Sequence, residues 1–254
     1  MQIDFKGTTA LVTGAGSGIG AATAIGLAQA GAHVMVHYNR NEQGANAVRQ
    51  TIEKGGGSAD VIGADLTEGQ AADRLVEETL RTRGAIDILV NNAGDLVRRA
   101  QIVDLTDEDF HRVMDLNLTS VFTMCRAAVP SMQARGTGAI VNLTSIAARN
   151  GGGGGSAVYA ASKAAVSTFT RGLAKEVALD GVRVNAVSPG VIATPFHERH
   201  TSDEQMAGMV AGIPMRRMGT PEECVGTVLF LASDMMSGYV TGQILEVNGG
   251  QLMP

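Results

Sequence analysis

Short β-branched and aliphatic runs alternate with longer amphipathic ones along the whole chain, and this alternation restricts the fold more than anything else in the sequence. The short runs are TALVT (9–13), HVMVH (33–37), ADVIG (59–63), DILVN (87–91), AIVNL (139–143), RVNAV (183–187) and QILEV (243–247). Between them, segments such as IGAATAIGLAQAG, AADRLVEETLRTRG and AAVSTFTRGLAKEVALDG repeat apolar residues at three and four positions. Several of these end in glycine, as helix C-termini often do. Strand, helix, strand, repeated this often, predicts an α/β fold of the doubly wound type: a seven-stranded parallel sheet with helices on both faces. A chain of 254 residues suits one large α/β domain or two small ones. Nothing between the units reads as a linker, so a single domain over 1–254 is expected, without internal repeats.

Composition narrows the function classes. With 20 Lys and Arg against 25 Asp and Glu, the net charge is −5, which gives no basic footprint for nucleic acid and opposes an acidic partner. The two cysteines, Cys125 and Cys224, form no CxxC pair and lie in apolar helical patterns, so they are expected as small core residues rather than metal ligands. The segment MQIDFKGTTALVTG lacks the charged and apolar regions of a signal peptide, and no apolar run reaches membrane-span length. A reduced, soluble, cytoplasmic protein is expected.

ALVTGAGSGIGAA joins the first strand to the first helix. Glycines there let the backbone approach a pyrophosphate, while the helix start offers free N–H groups and a positive dipole end. Gly14, Gly18 and Gly20, with Ser17 and Ile19 between them, form the expected dinucleotide turn; Gly16 could serve the turn alone. NAD binders place an acidic residue about 20 positions further on. Here the second strand runs into Tyr38, Asn39 and Arg40, and the first carboxylate is Glu42, already entering a helix. The missing carboxylate and the Arg40 guanidinium favour a 2′-phosphate, hence NADP(H) over NAD(H). The alternative is that Arg40 is a solvated loop residue.

GGGGGSAVYAASK (151–163) holds Tyr159 and Lys163 four positions apart, on one face of a helix. A free phenol has a pKa near 10, and acid–base work at neutrality needs it lowered by about 2–3 pH units, or about 3–4 kcal/mol. One ammonium about 4–5 Å away in an effective dielectric near 20 supplies about that much. The expectation is that Lys163 suffices to activate Tyr159, with the positive charge of an oxidised nicotinamide adding in the same direction. Upstream, Ser145 in NLTSIA ends the fifth strand, where its hydroxyl could polarise a substrate oxygen or cap the turn.

With TGAGSGIG at 13–20, NNAG at 91–94, Ser145, YAASK at 159–163 and SPG at 188–190 in this order, the chain resembles the short-chain dehydrogenase/reductase family over nearly its whole length. The resemblance implies Tyr159 as general acid/base, Lys163 on the nicotinamide ribose, Ser145 on the substrate oxygen, and Asn117 in VMDLNLTSVF holding a relay water. It implies further cofactor contacts from Asp65 and Leu66, with Asp65 at the adenine, and from Asn91, Ala93 and Gly94 along the central strand. Pro189, Gly190, Ile192 and Thr194 would border the nicotinamide. Without the resemblance, Asn117 reads equally as a packing polar group and Asp65 as a helix cap. The family also implies a homotetramer and a small ketone or alcohol substrate.

Three expectations concern substrate and activity. The glycine run separates Ser145 from Tyr159 by 14 positions, which suggests a widened or loosened pocket. A lid is expected over about 194–219, whose His197 and His200 read as solvated rather than metal-binding. The overall pattern resembles reductases of 3-oxoacyl groups on acyl carrier protein. Ala139 and Asp180, however, stand where those enzymes resemble one another in carrying arginines for the acidic carrier, and a carboxylate there repels it. A dinucleotide sensor without turnover is the non-enzymatic alternative.

Overall fold

Side chains along each strand alternate between the two faces of the sheet, and two rows of apolar residues result. In the computed structural model, which describes residues 3–253, β1 (Thr9–Val12) pairs with β2 (His33–Tyr38) and with β4 (Ile88–Asn91). β3 (Ser58–Gly63), β5 (Gly138–Leu143), β6 (Val182–Pro189) and β7 (Ile244–Val247) complete a parallel sheet of order β3-β2-β1-β4-β5-β6-β7. Met35, Leu11, Leu89, Ile140 and Val184 are aligned across it and bury one face. Val36, Val12, Val90 and Val141, one position on, bury the other. All seven expected strands are present.

On the valine face pack α1 (Gly18–Gln29), α2 (Glu42–Lys54) and α10 (Pro221–Ala232), through Leu27, Ile52 and Leu231 among others. The opposite face takes α3 (Ala71–Arg83), α5 (Ser120–Arg135) and α7 (Ala157–Val177), through Leu75, Met124, Met132 and Val166. Cys125 and Cys224 are buried and unpaired, and burial pushes both thiols up to about 12. They are inert core groups. No helix among the described residues is long and apolar enough to cross a membrane.

The shorter elements sit at the carboxyl edge or on the periphery: α4 (Asp107–Met114), α6 (Ala147–Asn150), α8 (Pro195–His200), α9 (Asp203–Ala211) and α11 (Asp234–Ser237). Between α4 and α5 the helix widens into a π-helical turn, Asp115–Thr119. Strand order reverses between β1 and β4. Such a switch point opens a crevice beyond the strand ends, where doubly wound sheets bind their ligands.

Candidate active site

A cavity of about 690 Å³ lies along this crevice. The β1–α1 turn forms one wall. Gly14 and Gly18 have φ of +63° and +55°, the left-handed region that only glycine enters readily. A side chain at 18 would stand 3.2 Å from Thr194 Cγ2, so turn and Thr194 face each other closely across the cleft. Ser17 starts α1 without a side-chain cap, and the first turn carries no acidic residue. The leading N–H groups of α1 are therefore free for an anion. Gly20 does not line the cavity; a side chain there would strike Asn92 Nδ2 and the Gly14 carbonyl, so its bareness permits helix–strand packing.

Three side chains that sequence reading left out hold this turn. Asn92 Nδ2 donates to the carbonyls of Thr13 and Gly14 at 2.9 and 3.1 Å. Asn41 Nδ2 donates to Gly16 O at 2.9 Å while its Oδ1 caps α2. His37 Nδ1 accepts from Gly14 N–H at 3.1 Å, and Nε2–H donates to Ala64 O at 3.0 Å. Both ring nitrogens are thus committed to the neutral tautomer, and burial holds its pKa below the ordinary value. Only pairing across strands shows this; His37 in HVMVH looks like any strand residue.

Tyr38, Asn39, Arg40, Asp65 and Leu66 line the far end of the cavity. Asp65 precedes the start of α3 by six positions and does not cap it. Its Oδ1 instead accepts from Thr67 N at 3.0 Å and Thr67 Oγ1 at 2.6 Å. These bonds, with Asn39 and the charge of Arg40, keep the carboxyl below its usual range. Asn91 does not line the cavity. Its Nδ2 donates to Asn142 Oδ1 at 2.9 Å and toward Cys125 Sγ at 3.3 Å, which turns the side chain into the sheet and away from the cleft. Ala93, Gly94, Pro189, Gly190 and Ile192 do border the cavity.

Tyr159 and Lys163 lie at the other end, on the first turns of α7. Ser145 follows β5, and its Oγ accepts from Ala147 N at 3.1 Å. Lys163 is 3% exposed; its Nζ donates to Leu143 O at 2.9 Å and stands 5.9 Å from the centre of the Tyr159 ring. Burial pushes the phenol up to about 12, the charge of Asp95 adds to the rise, and the Ser145 hydroxyl opposes it. Burial holds the lysine down to about 8. Burial of the phenol thus works against the activation expected from Lys163.

Asn117 is fully buried in the π-helical turn. Its Nδ2 donates to the carbonyls of Asp95 and Val113 at 2.7 and 2.9 Å, and its Oδ1 has no partner among the described residues. A side chain on Gly94 would stand 2.6 Å from that oxygen and 3.0 Å from Lys163 Nζ. The bare glycine, free N–H groups and orphaned oxygen together fit an extended dinucleotide reaching from Arg40 to Tyr159.

Two further expectations change. None of the five glycines at 151–155 lines the cavity. Gly151, Gly152 and Gly155 adopt φ of +82°, +75° and +74°, so backbone conformation rather than pocket width explains them. His200 is not solvated; its Nε2 pairs with Asp95 Oδ1 at 2.6 Å and its side chain is 11% exposed. His197 borders the cavity, and no group of metal-ligating side chains occurs among the described residues.

Comparison with known proteins agrees with this geometry. A family model described as enoyl-(acyl carrier protein) reductase matches residues 14–251. A 3-oxoacyl-[acyl-carrier-protein] reductase of Synechocystis sp. is 43% identical over 244 residues, covering 96% of each chain. The structure of a putative NAD(P)-dependent gluconate 5-dehydrogenase from Beutenbergia cavernae, with bound NADP, superposes with a TM-score of 0.92 at 42% identity, covering 99% of each chain. The NADH-dependent reductase A1-R′, complexed with NAD, gives 0.87 at 38% identity over 98% of each.

Proposed function

Because the chain belongs to the short-chain dehydrogenase/reductase family, we propose that it transfers a hydride between NADP(H) and a small ketone or secondary alcohol, with Tyr159 as general acid/base. The observation that carries this reading is that Lys163 and Tyr159, with the Ser145 hydroxyl bonded to the phenol, stand at one end of a cleft walled by a glycine turn and an open helix start. When bound, the dinucleotide supplies the hydride and, oxidised, a positive charge beside the phenol. In reduction Tyr159 gives its proton to the carbonyl oxygen, and the Ser145 hydroxyl donates a hydrogen bond to the same oxygen. Lys163 holds the ribose, and Asn117 Oδ1 holds a water that returns the proton.

Arg40 supports NADP(H), since it borders the cavity at the end of β2 with no carboxylate in the preceding two positions. A relative of high similarity binds NADP and another NAD, so the test is direct. Arg40→Ala is expected to raise the NADPH Michaelis constant about tenfold or more, the loss of a charge-assisted bond, and to leave NADH nearly unchanged. Preference of the unaltered enzyme for NADH would overturn the NADP assignment.

For the substrate, two readings have support. His197 and Arg199 on α8 border the cavity that Tyr159 lines, which favours a small polar carbonyl compound; one structural relative is a putative gluconate 5-dehydrogenase. The Synechocystis relative instead reduces 3-oxoacyl groups on acyl carrier protein. Asp180 argues against that here. Ala139 carries no weight, being buried within β5. NADPH oxidation with keto acids, neutral ketones and a 3-oxoacyl carrier protein separates the two; tight NADPH binding without any turnover would point to a sensor. The proposed assembly is a homotetramer, checked by light scattering of the purified protein.

A further inference from the structure

Three segments distant in sequence meet around one guanidinium that the proposed chemistry leaves unused. Arg99, in the loop after β4, donates from Nε to the carbonyl of His200 at 2.6 Å and from Nη1 to that of Gly154 at 2.7 Å. His200 is the last residue of α8, and its carbonyl is one of the acceptors a helix end leaves unsatisfied, where a cation is favoured. Asp95, in the same loop, grips α8 a second time, through His200 Nε2 at 2.6 Å and Arg199 Nη2 at 3.2 Å. From α8, Phe196 lies with its ring centre 5.6 Å from that of Tyr159. The position of α8 over the phenol is thus set by contacts from the loop after β4.

The glycine run fits this contact. A side chain at Gly155 would stand 2.9 Å from Arg99 Cγ and 3.0 Å from Ala100 N, and Gly155 already needs a φ of +74°. Ala100 N–H also donates to Gly155 O at 3.2 Å. Gly154, which offers its carbonyl to Arg99, has open space about its Cα and no positive φ. The chain is bare where the arginine stem passes.

We infer that Arg99 is a positioning residue that clasps α8 to the glycine run, and that this clasp fixes the pocket wall against which a carbonyl substrate meets Tyr159. The clasp stands on geometry alone; its effect on substrate rests on the oxidoreductase reading.

The test uses the full chain with NADPH bound and five forms: unaltered, Arg99→Ala, Gly155→Ala, Gly154→Ala and the Arg99→Ala/Gly155→Ala double variant. One arm measures the rate of trypsin cleavage after Arg199, located by mass spectrometry, and requires no turnover. The other measures KM and kcat for the best carbonyl substrate, with the NADPH dissociation constant as control. Losing charge-assisted bonds to two carbonyls, Arg99→Ala is expected to raise both cleavage and KM about tenfold or more, with NADPH affinity unchanged. Gly155→Ala should reproduce this, Gly154→Ala should match the unaltered protein, and the Arg99/Gly155 double variant should be no worse than either single one. Added guanidinium ion should partly restore KM in Arg99→Ala. Should Arg99→Ala fail to fold, Arg99→Lys, which reaches one carbonyl at a time, is read in the same arms. Unchanged cleavage, an additive double variant, or a Gly154→Ala as damaging as Gly155→Ala would overturn the clasp. Raised cleavage with unchanged KM would overturn its positioning role. Absence of turnover in the unaltered protein would count against the oxidoreductase reading, and the cleavage arm would still decide the clasp.

Discussion

Tyr159→Phe is expected to lower kcat by about 10²–10⁴-fold, the usual worth of a positioned general acid/base, while NADPH binds as before. The substitution removes one oxygen and keeps the ring, so the contact with Phe196 at 5.6 Å survives. Ser145 remains to polarise the carbonyl, but Lys163 is turned to Leu143 O and does not replace the phenol. Stopped assays of kcat alongside fluorescence titration with NADPH separate the two effects. A variant that turns over within threefold of the unaltered enzyme would remove Tyr159 from the chemistry.

Lys163→Met is expected to do two opposite things: abolish most turnover and stabilise the dinucleotide-free protein. A buried ammonium is costly, and the depression of its pKa from 10.5 to about 8 corresponds to about 3 kcal/mol. The sign follows from proton uptake. Between about 8 and 10.5 the unfolded chain holds a proton that the folded one has released, so stability rises with pH across that window and the full penalty applies below it. Tyr159 acts only above its ordinary value of 10, where its raised pKa makes the folded state lose stability. Methionine fills similar space without the charge. Denaturant melts at pH 7 should show the variant more stable by about 1–3 kcal/mol, and the rise between pH 8 and 10 should shrink relative to the unaltered protein. A variant less stable at pH 7 would show that the bond to Leu143 outweighs desolvation.

Periodicity located all seven strands, because runs such as ILVN and HVMVHY bury residues on both faces and tolerate little else. Local spacing likewise brought Tyr159 and Lys163 to one helix face. Burial was not legible, however. The phenol's pKa depends on how much protein surrounds it, and four-residue spacing carries no such information. Nor were the contacts of Asp95 and Arg99 with His200, which span 105 and 101 positions. The glycine run was opaque for a related reason: the positive φ of Gly151, Gly152 and Gly155 and the Arg99 stem beside Gly155 depend on the folded chain. Asn91 illustrates the converse. Its place in NNAG suggested the cleft, yet its strand position turns the side chain toward Asn142.

The proposed chemistry requires that the buried phenol, whose pKa burial raises, become labile when the oxidised dinucleotide adds its charge beside Lys163. Ultraviolet difference titration of the unaltered protein minus Tyr159→Phe isolates this one tyrosine among the three. Without ligand, ionisation near 12 is expected; with saturating NADP⁺, it should fall below the free-phenol value of about 10. Ionisation already below 10 in the free protein, or no change on adding NADP⁺, would contradict the account.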